Sequence, residues 1–252
     1  MKIFLRWLGV LLTSVVALQL FFVLRIACML VLDPESTSFQ RSEAWRLQRE
    51  KGRVPWRQQW MPYERISDQL KRAVIASEDD AFVNHDGVDW EALEKAWQKN
   101  ARAEAQLAKA QAGKRTGAAS GGARPAPHPA KVVGGSTITQ QLAKNLFLSG
   151  ERTLLRKGQE FVLTLALETL LSKRRILEIY LNSVEWGEGV FGAEAAAQHY
   201  FGKAASRLNA YEAARLAVML PRPRYFEKLP DSGYLAERAG VIAGRMGGAE
   251  LP

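Results

Sequence analysis

From Trp7 to Leu24 the chain runs eighteen residues without a charge, and this run restricts the possible folds more than any other feature. At about 1.5 Å per helical residue it reaches roughly 27 Å, close to the thickness of a bilayer's hydrocarbon core. Inside lipid every backbone N–H and C=O must be satisfied within the segment, so the run is predicted to be one membrane-spanning helix. Lys2 and Arg6 precede it, whereas Asp33 and Glu35 follow, which predicts a cytoplasmic N-terminus. A cleaved signal peptide would have a shorter apolar region and an A-x-A-like site after it, so the segment is read as an uncleaved anchor. Arg25 separates this run from a second apolar stretch, Ile26 to Leu32, and is expected to reach the outer interface.

The net charge of +9 would suit a nucleic-acid-binding protein if it were spread over the folded body. It is not. Residues 1–32 hold three basic and no acidic side chains, and residues 101–131 hold six basic against Glu104, so these two stretches carry all but one unit of the excess. Anionic lipid headgroups or an anionic polymer are the better match, and no nucleic-acid partner is expected. The lone cysteine, Cys28, lies in the apolar segment and excludes an intramolecular disulfide. The 252 residues suffice for one anchor and one domain with a substantial core.

Residues 1–32 are therefore read as cytoplasmic tip and anchor, 33–62 as a polar membrane-proximal lead-in, and 63–252 as the main domain. Trp45, Trp56 and Trp60 in the lead-in are either interfacial anchors or packing residues. Ile66, Leu70, Ala73, Val74 and Ser77 recur at helical spacing and bring Glu78 to the end of that helix. Asp89 is a good N-cap for a helix with Trp90, Leu93 and Trp97 on one face, running towards Ala112. Gly113 to Pro129 contains little to bury and is expected to be a mobile loop, within a low-complexity insertion at about 113–131. Leu154 to Leu171 is apolar over most of its surface and is predicted to be a buried helix. Asn209 and Glu212 form a capping box for a further helix that Pro221 ends. No segment alternates with period two, so the fold is predicted to be mainly α.

Gly134 to Asn145 reads GGSTITQQLAKN. Two glycines open the backbone, Ser136 is placed as N-cap, and Ile138, Leu142 and Leu146 share one helical side with Gln141 and Asn145 close to it. Uncharged amides and hydroxyls at a helix N-terminus suit a polyhydroxylated or phosphorylated ligand, although a capped helix with an amide-rich surface fits equally. The surrounding sequence decides the matter. Glu78 to Gly87 (EDDAFVNHDG) resembles the EDxxFxxHxG signature of peptidoglycan glycosyltransferases, the polymerases of lipid II. GGSTITQQLAKN resembles their second signature, Arg156 to Glu160 (RKGQE) the third, Lys173 to Asn182 (KRRILEIYLN) the fourth, and Gly189 to Lys203 (GVFGAEAAAQHYFGK) the fifth, all in family order. The tail with Leu220-Pro221-Arg222-Pro223 also resembles single-domain members. The resemblance implies a lysozyme-like, two-lobed helical domain around a cleft, preceded by one transmembrane helix. It further implies an inner-membrane, single-pass protein whose catalytic domain is periplasmic.

On the third-signature helix, Glu160, Thr164 and Glu168 form a polar stripe at i, i+4 and i+8. Buried carboxylates need cations or a wet cleft, so the stripe is either an ion-paired structural feature or part of a site. By resemblance Glu78 is the general base that deprotonates the acceptor 4-hydroxyl, and Glu160 organises the pyrophosphate region. Lys144, Arg152, Arg156 and Lys157 match cationic positions, and Ser136, Thr137, Gln140, Gln141 and Asn145 complete the expected substrate contacts. Asp79, Phe82, His85 and Gly87 are expected to support the Glu78 loop, with His85 a structural hydrogen-bonder, and Glu168 reads as structural. Three histidines without clustered spacing give no zinc set. No cofactor is required, and a divalent cation (Mg or Mn) is expected at most to stimulate.

The implied activity is polymerisation of lipid II into β-1,4-linked glycan with inversion and release of undecaprenyl pyrophosphate. No transpeptidase activity is expected, because the chain ends soon after the signatures. Expected partners are lipid II, the growing glycan strand and membrane lipid, with room for other cell-wall synthesis or division proteins. A glycan-cleaving lytic transglycosylase shares the helical architecture but leaves the cation-rich RK segment without a purpose. A non-catalytic scaffold for cell-wall polymer would have no need of both Glu78 and Glu160.

Overall fold

The uncharged run becomes one helix, α1 (Lys2–Cys28), in the computed structural model of the chain, and almost all of its side chains are exposed. The structure describes residues 1–116, 135–148, 150 and 153–252. These fall into two compact units, Asp89–Ser136 and the combination of Met1–Val88 with Thr137–Pro252. Towards its C-terminal end α1 packs on the rest of the larger unit, where Gln19 and Gln159 exchange amide hydrogen bonds of 2.8 and 3.1 Å. The Arg25 guanidinium lies over the rings of Phe21 and Phe147, 5.8 and 5.2 Å from their centroids.

The lead-in is more ordered than its polar composition suggested. Thr37 opens α2 (Ser38–Lys51) with a capping box to Gln40, and Gly52 closes it in the left-handed conformation. One side of α2 is buried through Gln40, Glu43 and Leu47. Trp56 stacks on Phe191 at 4.5 Å, Trp60 lies under the Arg175 guanidinium, and Trp45 remains exposed. One of the three tryptophans is thus free to meet lipid, and two are packing residues.

The core of the larger unit is helical. Ser67 caps α3 (Asp68–Glu78), whose Leu70, Ala73, Val74 and Ile75 are buried. Further helices are α5 (Ile138–Phe147), α6 (Leu154–Leu170), α7 (Lys173–Ser183), α8 (Ala193–Phe201), α9 (Ala210–Met219), α10 (Pro223–Glu227) and α11 (Gly233–Arg245). The predicted Asn209–Glu212 capping box is present on α9, which packs against both α3 and α11. The absence of period-two patterning hid a small sheet. Strands β1 (Arg57–Gln58), β2 (Glu185–Gly187) and β3 (Val190–Phe191) pair in the order β1-β3-β2, each too short to show an alternation.

One expectation needs correction. The Leu154–Leu171 segment is not buried all round: Glu160, Leu163, Thr164 and Leu167 face the core, while Leu154 and Leu155 are 93% and 86% exposed. Apolar positions that cover most of a helix read alike in sequence whatever surrounds them. In the smaller unit, Asp89 caps α4 (Trp90–Thr116) through a 2.7 Å bond from the Ala92 N–H, as expected. Trp90, Leu93 and Trp97 are exposed there. Residues 113–116, read as the start of a loop, continue the helix; 117–134 lie outside the described residues.

Gly189 shows how tightly the sheet is closed. Its φ is +75°, and a Cβ would run into the Pro55 carbonyl oxygen. Gly202 has a similar φ of +62° with open space around it. Gly189→Ala should therefore lose roughly 1–3 kcal/mol from overpacking on top of the left-handed strain of about 1–2 kcal/mol that Gly202→Ala also incurs. Thermal midpoints of the two variants in detergent measure the difference; equal midpoints would contradict the close contact.

Candidate active site

Glu78 ends α3, and the chain must turn immediately afterwards to reach α5. Asp79 makes that turn possible. Its Oδ2 accepts the Ile138 N–H at 2.9 Å, one of the donors that a helix N-terminus leaves unsatisfied. Its Oδ1 accepts from His85 Nε2 at 2.8 Å. His85 Nδ1 in turn accepts the Gly87 N–H at 3.1 Å, which assigns the ring proton to Nε2. His85 is thus a strut within its own loop. Gly87 closes that loop with φ +85°, where a Cβ would meet Thr164 Cγ2 at 2.7 Å and Glu168 Cγ at 2.8 Å. Phe82 is fully buried, and the Lys173 ammonium lies 4.7 Å from its ring centroid.

The helix cap lies one residue beyond the position expected from sequence. Thr137, rather than Ser136, caps α5, because only Thr137 has a glutamine at the third helical position to close the box. Thr137 Oγ1 also donates to the Gly87 carbonyl at 2.6 Å. The polar atoms of Thr137 and Gln140 are therefore buried in the cap, and Ser136 is exposed. Lys144 lies on the side of α5 away from the buried Leu142, Ala143 and Leu146, and Gln141 and Asn145 flank the buried side. Gln141 and Asn145 are half-buried and Lys144 is exposed.

Gln141 faces the half-buried Glu78, donating from Nε2 to Oε2 at 3.0 Å. Burial holds the Glu78 carboxyl above its ordinary 4.5; the Gln141 bond, the Ser77 hydroxyl and the Lys144 charge oppose that rise, while Asp79 adds to it. Gln141 Oε1 is engaged by the hydroxyl of Tyr180 at 3.0 Å. Tyr180 was absent from the residues selected by sequence. The available signal was a tyrosine on the apolar side of a buried helix, whose hydroxyl must find a partner.

The polar stripe of α6 divides into two environments. Glu160 is 4% exposed and pairs with Lys157 and, at 3.4 Å, with Arg156, one turn earlier. Among the described residues Arg156 Nε is buried without a hydrogen-bond partner. Glu168 instead accepts from Thr139 Oγ1 at 2.5 Å and from Lys173 Nζ at 2.8 Å. Lys173 also donates to the His85 carbonyl, which ties Glu168 to the Asp79 loop. Arg152 lies outside the described residues. Among the described residues no group of three or more His, Cys, Asp or Glu is arranged to hold a metal ion.

A family model described as Transglycosylase matches residues 47–120 and 120–247. The chain belongs to the transglycosylase family. It is 53% identical over 251 residues to a protein of Burkholderia thailandensis named biosynthetic peptidoglycan transglycosylase, covering 98% of this chain and 88% of the relative. A protein of the same name from Burkholderia pseudomallei is 51% identical over the same shares. Another from Herminiimonas arsenicoxydans is 51% identical over 239 residues, covering 94% of this chain and 92% of the relative. The family's lysozyme-like helical fold agrees with the architecture described above.

The raised Glu78 carboxyl has a consequence for stability. The native state binds this proton more tightly than the unfolded chain does, so stability falls as pH rises from the ordinary 4.5 through the folded value. At neutral pH the ionised side chain is a net cost. Glu78→Gln should raise the thermal midpoint at pH 7, and the gain should disappear below about pH 4, where Glu78 holds its proton in the folded and the unfolded chain alike. A lower midpoint at pH 7 would show that the carboxylate is held more favourably than its burial implies.

Proposed function

We propose that this transglycosylase polymerises lipid II into β-1,4-linked glycan strands for cell-wall synthesis. Supporting this reading above all is the pairing of a half-buried, hydrogen-bonded carboxyl at Glu78 with a separate cationic group around Glu160. Glu78 takes the proton of the acceptor 4-hydroxyl as that oxygen attacks the anomeric carbon of the lipid-linked donor. The new C–O bond forms on the face opposite the departing pyrophosphate, so the linkage inverts. The C–O bond to phosphate breaks, and its electron pair leaves with undecaprenyl pyrophosphate.

Arg156, Lys157, Lys144 and Arg152 neutralise the charge that develops on the leaving group. Glu160 holds the first two in place, and Arg156 Nε adds a buried donor. Asp79, His85 and Gly87 support the base, and Asn145 lines the same side of α5. A divalent cation, magnesium or manganese, enters only as an aid bound to the pyrophosphate. The apolar α1 fits a single-pass anchor. We take its N-terminus as cytoplasmic and the catalytic domain as periplasmic, on the inner membrane, where lipid-borne substrate and enzyme share one surface.

Glu78→Gln should reduce polymerisation of labelled lipid II by at least ~10²–10⁴-fold while binding of lipid II persists. Near-normal turnover would remove Glu78 from the mechanism. A raised carboxyl would also suit a general acid, so the same enzyme should be given preformed glycan; release of fragments in place of polymer would favour cleavage. Lys144→Ala and Arg152→Ala should each weaken a phosphoglycolipid donor-site inhibitor about tenfold or more, the loss of one charge-assisted contact. Unchanged affinity in both would take these side chains out of the phosphate site.

A further inference from the structure

Tyr180 is fully buried on α7, yet the mechanism above gives it no part. Its hydroxyl donates to Gln141 Oε1 at 3.0 Å, and Gln141 Nε2 donates to Glu78 Oε2 at the same distance. A primary amide can present either its oxygen or its nitrogen to a neighbour. With the oxygen engaged by a phenol, the nitrogen is the end left for Glu78. An ionised carboxylate can only accept, so this orientation matches the charged form and opposes the reversed amide.

We infer that Tyr180 and Gln141 are positioning residues: the phenol fixes the Gln141 amide so that it holds Glu78 as the proton-accepting carboxylate. The inference rests on the reading of Glu78 as general base. Gln141, expected from the sequence to contact substrate, is thereby assigned to the base instead.

The surroundings of Glu78 agree. On its own helix Ser77 donates to it weakly at 3.5 Å, and Asp79 disfavours its charge. From α5, Gln141 and Lys144 favour the charge; from α7, Tyr180 faces it as a neutral phenol. Burial and the nearby carboxylates raise the Tyr180 ionisation well above its ordinary 10.0, so it remains a neutral donor throughout the working range. The connection Tyr180–Gln141–Glu78 crosses three helices, and each member lies on an element fixed by other packing.

The test is the pH dependence of kcat and KM for the full-length enzyme in detergent with labelled lipid II. Tyr180→Phe, Gln141→Leu and the double variant are compared with the unaltered chain. Tyr180→Phe removes one oxygen, which frees the amide to turn its own oxygen towards Glu78. The acid limb of kcat should move to higher pH by about one unit, equivalent to a tenfold change in the ionisation equilibrium. Rates should recover at alkaline pH with KM little changed. Gln141→Leu should move the limb in the same direction, and the double variant no further, because Tyr180 acts through Gln141. If Gln141→Leu fails to fold, Gln141→Asn, too short to span both partners, replaces it with the same expectation.

A uniform loss of rate at every pH, or a rise in KM with an unmoved acid limb, would overturn the inference. So would additive shifts in the double variant. Glu78→Gln run alongside separates the two levels. Its retained activity would remove the base itself; its inactivity together with an unmoved limb in Tyr180→Phe would remove only the Tyr180–Gln141 role.

Discussion

The Asp79 carboxylate is the interaction on which the site depends. It accepts from the Ile138 N–H at the start of α5 and from His85 within the intervening loop, so two helices and a turn meet on two oxygens. A negative charge there also suits the positive end of the α5 dipole. Because Asp79 follows Glu78 directly, fixing the one places the other at the edge of α5, opposite Gln141. The hydrogen bond from Thr137 to the Gly87 carbonyl joins the same two segments a second time. Glu78 is therefore held by its neighbours' contacts and is not left on a flexible loop end.

The two glutamates of α6 show how position alone separates similar residues. Glu160 and Glu168 are eight residues apart on one stripe, and both carboxylates are buried. Breaking such a pair by removing one partner typically costs about 3–5 kcal/mol, so each needs its cations whatever else it does. Glu168 obtains its cation from Lys173 and a further, neutral hydrogen bond from the Thr139 hydroxyl, in an arrangement that reinforces the Asp79 loop. Glu160 obtains them from Arg156 and Lys157 on its own helix, and Lys157 remains half-exposed. A cation that serves a carboxylate while still reaching solvent can also serve an incoming phosphate.

The apolar surface of α6 belongs to the same reasoning. Leu154, Leu155, Phe161, Val162 and Leu165 are exposed on the helix that also carries Glu160. The reciprocal Gln19–Gln159 pair ties α1 to α6 immediately beside Glu160. In hydrocarbon an amide pair of this kind satisfies polar groups that would otherwise be costly. The pair therefore joins α1 to the part of α6 that carries Arg156, Lys157 and Glu160.

Much of this was legible in the residues. The length of the uncharged run, the helical spacing of Ile66 to Ser77 and the ordered signatures depend on local sequence, and they specified a helical fold, a long apolar N-terminal helix, and the helices that carry Glu78 and Glu160. The helix caps were legible to within one residue, because capping is a contact between near neighbours; Thr137 displaced Ser136 only through the position of Gln140. The mixed surface of α6 could not be read, since periodicity reports apolar positions and not what covers them. Nor could the Tyr180–Gln141–Glu78 connection, whose members are 39 and 63 residues apart in sequence. Sequence by itself determined which groups the protein possesses and which helices present them. Tertiary structure decided which carboxylates are paired with cations, which one faces only an amide and a hydroxyl, and which amide that is, because burial and hydrogen bonding depend on distances that only folding creates.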